Sequence, residues 1–452
     1  MVIPLTELLI SGGTVVTMDE DRRIIKNGAI AVREDKIVEV SKAEELERKY
    51  HPDRTINAEG RLVIPGFVNV HHHTQSSTVK MRGIQLETPG GLYDRSMPIK
   101  EFLPDEDRYY LGLTAILADI RMGVTTDADQ DFGEANIAQA MMDSGIRAIC
   151  SEYLYAVDFQ ETREKGYKVF APEIGDKTLK KGLKLIDDWD RKADGRITCD
   201  LAPHAPDTTT PELLGKVREE ANKRGKRITT HLAQAMEEMR EIRSAYGVTP
   251  FQFLKDNDIL GPDCYVAHCI YHTDEDIQIL AETDTKVCHC ALGMSQRGGT
   301  APLIPWLEAG ITVGLGLDDR PDMIRYMQAT QSVAAFRSSW LGQGHRPSAQ
   351  QVLELATIVG AKVIGLEKEI GSLEVGKKAD IAIVDMRKPH LKPSVDPVAD
   401  LVYFGNGNDV ETVIIDGAVV VEEGKIMTLD MYEILQKAQE AGERAWYRFY
   451  EE

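Results

Sequence analysis

The chain has 452 residues, of which 42% are apolar and 28% charged, and a formal charge of -20. These values are ordinary for a globular protein with one large domain and a smaller one. Nucleic acids and anionic membranes attract clusters of Lys and Arg, so the negative charge argues against both as partners. We expect a small-molecule substrate that is neutral or cationic.

Several features bear on the compartment. The amino terminus lacks the basic region, apolar core and cleavage site of a secretory signal, and no run of about 18 apolar residues occurs. Six cysteines lie mostly in apolar runs, where a reduced thiol behaves as a small hydrophobe. Cys288 and Cys290 flank His289, but strand alternation separates both sulfurs from the histidine, so no metal site is expected there. A cytoplasmic protein is predicted.

Both ends of the chain have the pattern of short strands. Residues 1–61 include a hairpin turn at Glu34-Asp35, and the same pattern returns at 379–386 and 412–426. We therefore predict that the two ends build one small β-sandwich domain that encloses the middle of the chain.

Between the ends, apolar strands alternate with amphipathic helices such as 105–122, 211–224 and 273–282. Eight such units predict an α/β fold of the TIM type, a (β/α)8 barrel with catalytic residues at the carboxyl ends of its strands. A segment at 156–177 interrupts the alternation and is either a lid or a subunit contact. The predicted strands after the first are 123–128, 147–154, 197–204, 227–233, 265–270, 285–291 and 312–319. The predicted domains are 1–61 and 371–428 for the β-sandwich, 62–370 for the barrel and 429–452 for a carboxyl-terminal helix that packs on the barrel or on another subunit.

The first barrel strand is predicted in Leu62 to Gln75, an apolar run that ends in three consecutive histidines. Side chains alternate along a strand, so His71 and His73 point one way and His72 the other. An H-x-H pair at the end of a buried strand is typical of a metal site, because catalytic zinc is bound by converging imidazole nitrogens.

Polar residues recur at the carboxyl ends of four more predicted strands. Packing of a barrel interior would favour Val, Ile or Leu at these positions. A joint functional role is therefore expected. The four residues are His204, His231, His268 and Asp318.

The motifs P-G-F-V-N-V-H-H-H, L-A-P-H-A-P-D-T-T-T-P-E-L-L, T-H-L-A-Q, A-H-C-I and G-L-G-L-D-D occur in this order. Together they resemble the metal-dependent amidohydrolase superfamily, in particular the branch of cytosine deaminase, adenosylhomocysteine deaminase and the triazine hydrolases. The resemblance covers nearly the whole chain. It implies a homo-oligomeric hydrolase of carbon-nitrogen bonds other than peptide bonds.

The resemblance also implies roles for individual residues. His71, His73 and His231 would bind one divalent ion, and Asp318 would bind the ion and take a proton from its water. A metal in such a site lowers the pKa of water from 15.7 towards about 7, giving a metal-bound hydroxide at neutral pH. His268 would hold the attacking hydroxide or polarise the substrate, while His204 would contact the substrate.

The sequence also bears on the number and identity of the metal ions. Two-metal relatives use a carboxylated lysine on the fourth strand, and 199–204 contains none, so one ion is expected. Zinc is the expected ion, with iron, cobalt and manganese as alternatives, since histidine and carboxylate ligands suit all four.

Three positions depart from the relatives. Gln234 stands where the deaminases carry a proton-shuttling glutamate, and an amide cannot exchange a proton near pH 7. Gln234 is expected to orient the substrate by hydrogen bonds. The proton would then be moved by Asp318, by His268, or by Glu237 and Glu238. The pattern around the two glutamates is more typical of a solvated helix face. In the adenosine-type deaminases a glutamate that clasps the ribose aligns near M-P-I-K-E, where this chain has Lys100, so a nucleoside substrate is disfavoured. Asp319 is expected to face away from the metal and pair with Arg320.

These departures leave two kinds of reaction open. The first is deamination of a small neutral N-heterocycle, triazine- or pyrimidine-like, and the second is cleavage of an amide, urea or (thio)carbamate of the phenylurea or thiocarbamate type. A metal-free barrel with an assembly role is a remote third. A pocket lined by Met81, Leu92, Tyr93 and Trp340 would suit an aromatic substrate.

Overall fold

The computed structural model describes residues 5–75, 96–295, 298–340, 342 and 346–451. Its strands are β1 (Leu5–Val16), β2 (Ile24–Arg33), β3 (Lys36–Lys42), β4 (His51–Asn57), β5 (Arg61–Pro65), β6 (Phe67–His72), β7 (Val124–Asp131), β8 (Arg147–Leu154), β9 (Val157–Asp158), β10 (Val169–Phe170), β11 (Ile197–Cys199), β12 (Ala202–Pro203), β13 (Ile228–Leu232), β14 (Cys264–His268), β15 (Lys286–His289), β16 (Val313–Leu315), β17 (Ile381–Asp385), β18 (Val410–Ile415), β19 (Ala418–Glu422) and β20 (Lys425–Ile426).

The helices fall mainly between the strands. Those up to the middle of the chain are α1 (Ala43–Lys49), α2 (Met97–Glu101), α3 (Asp105–Arg121), α4 (Glu134–Ser144), α5 (Phe159–Lys165), α6 (Pro172–Trp189), α7 (Pro211–Arg224), α8 (Met236–Tyr246) and α9 (Pro250–Asp256). The others are α10 (Asp274–Glu282), α11 (Ala291–Ser295), α12 (Leu303–Glu308), α13 (Met323–Trp340), α14 (Ala349–Leu355), α15 (Ile358–Val363), α16 (Pro397–Phe404) and α17 (Met431–Glu451). Short 3-10 turns occur at Pro206–Thr208, Pro389–Leu391 and Gly407–Asp409.

The barrel consists of two parallel sheets that meet at two bridges. One sheet has the order β11-β8-β7-β6, with β12 beside β8, and the other has the order β13-β14-β15-β16. Leu201 pairs with Ile228 at one seam, and His72 pairs with Asp318 at the other. The predicted barrel is confirmed, and its closing seam carries two of the residues singled out in the sequence.

The two chain ends join in one sheet, with the order β20-β19-β18-β17-β5-β1-β2-β3 and β4 beside β1. Strand β5 runs parallel to β1 and antiparallel to β17, so the amino-terminal and carboxyl-terminal halves are bonded to each other directly. A separate apolar core, which includes Ile10, Ile30 and Ile381, supports this sheet.

The sequence suggested that the run beginning at Leu62 is a single barrel strand, and this prediction is wrong. It breaks at Gly66 into β5, which belongs to the end sheet, and β6, which opens the barrel. A Cβ on Gly66 would lie 2.1 Å from side-chain atoms of Thr125, so only glycine allows this close approach. The apolar pattern could not reveal the break, because both strands are buried.

Helix ends follow the local capping chemistry. Thr210 accepts a hydrogen bond from the N–H of Leu213 at the start of α7, and Thr273 forms a capping box with Asp276 at the start of α10. Helix α7 has the predicted bounds, while α3 and α10 differ from theirs by one residue.

A buried arginine connects the barrel to the end sheet. Arg147, at the start of β8, donates from Nε to Asp380 Oδ2 at 2.8 Å and from Nη2 to Asp416 Oδ1 at 2.7 Å. Its side chain is only 4% exposed. No helix within the described ranges is both long and apolar enough to cross a membrane.

The segment at 156–177 packs against the mouth of the barrel. Strands β9 and β10 pair antiparallel around α5. Val157 and Phe159 lie in an apolar cluster with Phe132 and Tyr153, which come from the ends of β7 and β8. The segment therefore supports the wall of the barrel mouth on this side.

Candidate active site

His71 on β6, His73 directly after β6 and Asp318 shortly after β16 lie next to one another. The N–H of His73 donates to the carbonyl of Asp318 at 2.7 Å, and the N–H of Asp318 donates to the carbonyl of His71 at 2.9 Å. The two imidazole rings lie edge to face, with centroids 4.7 Å apart. These backbone bonds fix the three residues relative to one another.

Three further histidines converge on the same region from other strands. The ring of His71 is 4.9 Å from that of His231 and 5.1 Å from that of His268. The ring of His204 is 4.9 Å from that of His231. All these side chains are at least nine-tenths buried. The structure thus brings together six of the seven site residues proposed from sequence, namely the five histidines and Asp318.

The orientation of two imidazoles fits a bound cation. His73 Nδ1 lies 2.8 Å from the carbonyl of Gln130, and His231 Nδ1 lies 2.7 Å from the carbonyl of His204, so both Nδ1 atoms donate. Each neutral ring then carries a lone pair on Nε2, and the two Nε2 atoms are only 3.1 Å apart. Two facing lone pairs repel unless a cation lies between or beside them. Carbonyl partners on the far nitrogen are the usual way in which metal-binding histidines are oriented.

Asp318 adds a carboxylate to this set. Its Oδ1 is 3.7 Å from His73 Nε2. Potential ligand atoms of His71, His73 and Asp318 all lie within 4.8 Å of one another, and so do those of His71, His231 and His268. Asp318 has a φ of +61°, a left-handed conformation that is unfavourable for most residues. Such a conformation at the mouth of a barrel is typical of a functional position.

Burial also keeps the histidines in the form that binds metals. Burial, with the nearby His231, lowers the pKa of His71 well below 6.5, and burial likewise lowers the pKa values of His73 and His204 well below 6.5. The neutral imidazole is the metal ligand, so protons do not compete for these nitrogens at neutral pH.

His72 faces the other side of β6, where its surroundings are acidic. Its Nδ1 is 2.9 Å from Asp127 Oδ2 and 3.3 Å from Asp119 Oδ2. Although burial lowers it, these carboxylates raise the pKa of His72 to about 10. His72 is therefore separated from the other histidines in both direction and charge.

Two residues in the site were missed in the sequence. Gln130, near the end of β7, places Nε2 at 3.2 Å from His71 Nδ1 and at 3.4 Å from His231 Nε2. Tyr153, near the end of β8, has its hydroxyl 3.1 Å from His73 Nδ1 and its ring 4.7 Å from that of His204. Both are polar residues at carboxyl ends of barrel strands, a signal that a search restricted to titratable metal ligands overlooks.

Lys100 lies close to this group. Its Nζ is 2.8 Å from Asp131 Oδ1 and 5.4 Å from the centre of the Tyr153 ring. The side chain is 3% exposed. A cation on the face of an aromatic ring and beside a carboxylate is a stable arrangement in a buried site. Lys100 thus forms part of the wall around the site.

Gln234 follows the sharp turn after β13. Its amide Nε2 is buried and has no hydrogen-bond partner among the described residues. The carboxylate of Glu238 accepts from the N–H of Ala233 at 2.7 Å and from the N–H of Gln234 at 3.0 Å. Glu238 is 1% exposed, so its predicted place on a solvated helix face is wrong. Its carboxyl group instead holds the loop that carries Gln234.

The remaining sequence predictions near the site have mixed outcomes. Asp319 lies 3.9 Å from the guanidinium of Arg320, as expected. Trp340 is 82% exposed, so the prediction that it lines a pocket is wrong. Met81, Leu92 and Tyr93 lie outside the described residues.

The comparisons with known proteins agree over the length of the chain. The model of the amidohydrolase family matches residues 62–420. A 5-methylthioadenosine/S-adenosylhomocysteine deaminase of Moorella thermoacetica is 35% identical over 431 residues, which span 95% of this chain and 97% of that protein. A 5'-deoxyadenosine deaminase of Methanosarcina acetivorans is 33% identical over 442 residues, which span 97% of this chain and 98% of that protein.

Solved structures show the same architecture. A triazine hydrolase variant has a TM-score of 0.86 at 25% identity, covering 97% of this chain and 99% of the other. An adenosine deaminase from Xanthomonas campestris with bound zinc has a TM-score of 0.89 at 23% identity, covering 98% and 99% of the two chains. The second likeness is one of fold.

Proposed function

The chain belongs to the amidohydrolase family and is a metal-dependent hydrolase of carbon-nitrogen bonds other than peptide bonds; from this premise we propose that it removes an amino group from a small neutral N-heterocycle at a single zinc site. The ring is triazine- or pyrimidine-like. The observation that carries the proposal is the pair of Nε2 atoms of His73 and His231, which face each other at 3.1 Å while both Nδ1 atoms bond carbonyls.

In this proposal His71, His73, His231 and Asp318 hold the zinc. When bound, the metal supplies a Lewis acid that makes water acidic enough to attack at neutral pH. Two backbone hydrogen bonds fix three of these ligands relative to one another: the N–H of His73 donates to Asp318 at 2.7 Å, and the N–H of Asp318 donates to His71 at 2.9 Å.

The residues of this chain divide the remaining work. Asp318 accepts a proton from the attacking water, whose oxygen forms a bond to the ring carbon that carries the amino group. His268 orients the water or polarises the ring, and His204 contacts the substrate. The carbon-nitrogen bond then breaks, and the nitrogen leaves as ammonia with the proton that Asp318 returns. General acid and base steps of this kind contribute about 10²- to 10⁴-fold to a rate.

Gln234 supplies a hydrogen bond rather than a proton. Its buried Nε2 lacks a partner among the described residues, and a buried donor without an acceptor is costly until a ligand provides one. A ring nitrogen or carbonyl oxygen of the substrate would satisfy it. Gln234 is thus a substrate-binding residue in this proposal.

The same observation favours a second candidate function. A urea, amide or carbamate presents a carbonyl oxygen to the Gln234 amide, and its leaving group can depart with less proton transfer than a ring amine. The remote alternative of an inactive barrel is disfavoured because potential ligands from His71, His73 and Asp318 converge, as do those from His71, His231 and His268.

A substrate screen tests the proposal. Aminated triazines and pyrimidines, adenosine derivatives such as 5'-deoxyadenosine, and phenylureas and thiocarbamates are assayed for ammonia or amine release, with zinc measured on the same sample. We expect ammonia release from the free heterocycles and much less from the nucleosides, because Lys100 disfavours a ribose. Release of amine from ureas alone would replace the first candidate by the second, and no turnover by zinc-loaded protein on any compound would contradict both.

A further inference from the structure

A second cluster of possible metal ligands lies behind strand β6, on the side away from the proposed zinc site. It consists of His72, Asp119, Asp127 and Asp129, which we call the buried carboxylate cluster. All four side chains are 0–1% exposed. His72 comes from β6, two of the carboxylates come from β7, and Asp119 comes from helix α3.

The distances within the cluster are short. His72 Nδ1 is 2.9 Å from Asp127 Oδ2 and 3.3 Å from Asp119 Oδ2. One ligand atom each from His72, Asp127 and Asp129 lies within 4.8 Å of the other two. Separations near 3 Å are those of neighbouring ligands around one metal ion with bonds of about 2.0–2.2 Å.

Hydrogen bonds leave part of the cluster without donors. Asn69 Nδ2 donates to Asp127 Oδ1 at 2.8 Å, and the N–H of Thr74 donates to Asp129 Oδ2 at 2.8 Å. Both oxygens of Asp119, and Oδ1 of Asp129, have no hydrogen bond from any residue in the described parts of the chain. Asp119 is completely buried and still directs a carboxylate oxygen at His72.

His72 is the only basic side chain that pairs with the cluster's carboxyl groups within the described residues. Three carboxylates surround one imidazole, and within the described ranges no lysine or arginine forms an ion pair with them. A buried carboxylate is costly unless it is paired or bound to a metal. One imidazole offers a single positive charge at most, whereas a divalent cation can contact several carboxylates at once.

We propose that the buried carboxylate cluster is a second, non-catalytic site for a divalent first-row metal ion, which takes the place of the proton that His72 Nδ1 shares with Asp127 and is bound by this nitrogen and by carboxylate oxygens of Asp119, Asp127 and Asp129. One nitrogen and several carboxylate oxygens suit Mn²⁺ or Zn²⁺. The ion would join β6, β7 and α3. Since His72 lies between His71 and His73 in the chain, the bound ion would also stiffen the end of β6, where both of these proposed zinc ligands lie.

Metal stoichiometry of the full-length protein tests this inference with Mn²⁺ as the probe. Protein is stripped with chelator, loaded with Mn²⁺, freed of excess metal and analysed for manganese per chain. We expect two ions in the wild type, one in His71→Ala, one in Asp127→Asn, and none in the double variant. Asp127→Asn keeps an oxygen for Asn69 to bond, so it removes charge with little change of shape. If it does not fold, Asp119→Asn takes its place.

The single variants separate the two sites. Mn²⁺ should raise the melting temperature of His71→Ala by several degrees and leave that of His71→Ala/Asp127→Asn unchanged, because only the former keeps the second site. A wild type that binds one ion, together with a His71→Ala variant that binds none, overturns the inference and leaves the proposed catalytic site intact. Two ions in both the wild type and Asp127→Asn would also overturn it, since this carboxylate would then not be a ligand.

Discussion

At the scale of single residues, the site depends on which nitrogen of each histidine carries a proton. The carbonyls of Gln130 and His204 hold the Nδ1 protons of His73 and His231. Neither carbonyl belongs to a residue type that a sequence search would select for this purpose. The backbone at the ends of β7 and β12 therefore helps to orient two histidines of the proposed metal site.

Gln234 gives the first prediction. Replacing it with glutamate introduces a group that can carry protons, so Gln234→Glu should keep activity and improve ammonia release from triazine-like rings, by about tenfold or more. The measurement is the steady-state rate of ammonia release with each substrate. Gln234→Ala is the matched control and should lose substrate affinity without this gain. A complete loss in Gln234→Glu would show instead that the amide is needed for binding.

Glu238 gives a prediction about pH. Burial, with the nearby Asp207, raises the pKa of Glu238 to about 8 from an ordinary value of 4.5. Between these two values the folded protein holds a proton that the unfolded chain has lost, so this residue makes stability fall as the pH rises through that window. The slope is at most about 1.4 kcal/mol per pH unit.

Denaturant unfolding at several pH values measures this effect. Glu238→Gln should remove part of the decrease between about pH 4.5 and about pH 8, because the variant carries no titratable group there. The neighbouring Glu237 is exposed, and Glu237→Gln should leave the pH profile unchanged. Identical profiles for the wild type and Glu238→Gln would show that the carboxyl does not titrate in this range.

At the scale of elements, the sequence predicts the strands well where period and composition agree. The carboxyl ends of β13 and β14 carry His231 and His268, as expected from apolar runs that end in a histidine. The burial of Glu238 was not predictable from the sequence. The helical pattern of α8 does not show that the loop preceding this helix folds over its first turn, where Glu238 lies. Tyr153 was overlooked for a similar reason, since an aromatic residue on a buried strand normally signals core packing.

Arg147 supports a prediction about the contact between the barrel and the end sheet. Removing it by Arg147→Ala leaves Asp380 and Asp416 without their buried partner, so the free energy of unfolding should fall by about 3–5 kcal/mol. Arg54 pairs with Glu422 at the surface, where both side chains are at least 40% exposed. Arg54→Ala should therefore cost less than about 1 kcal/mol. Equal losses in the two variants would show that the buried contact has no special role.

At the scale of the whole molecule, the two chain ends complete one sheet and the barrel closes between them. The chain leaves that sheet at Gly66 and continues as β6, which contains His71 and is followed directly by His73. The sequence predicts that the ends pair, because both have the same strand pattern. It does not show where one sheet ends and the next begins, since both are equally apolar at that point.

The central claim is that the converging histidines and Asp318 hold a metal ion that the hydrolysis requires. The direct measurement is ammonia release by chelator-treated protein as zinc is restored, for the wild type and for His71→Ala, with zinc content followed on the same samples. We expect the stripped wild type to be inactive and to regain activity with zinc, while His71→Ala stays inactive at the same zinc concentration. Full activity in the stripped protein, or equal recovery in both proteins, would contradict the account.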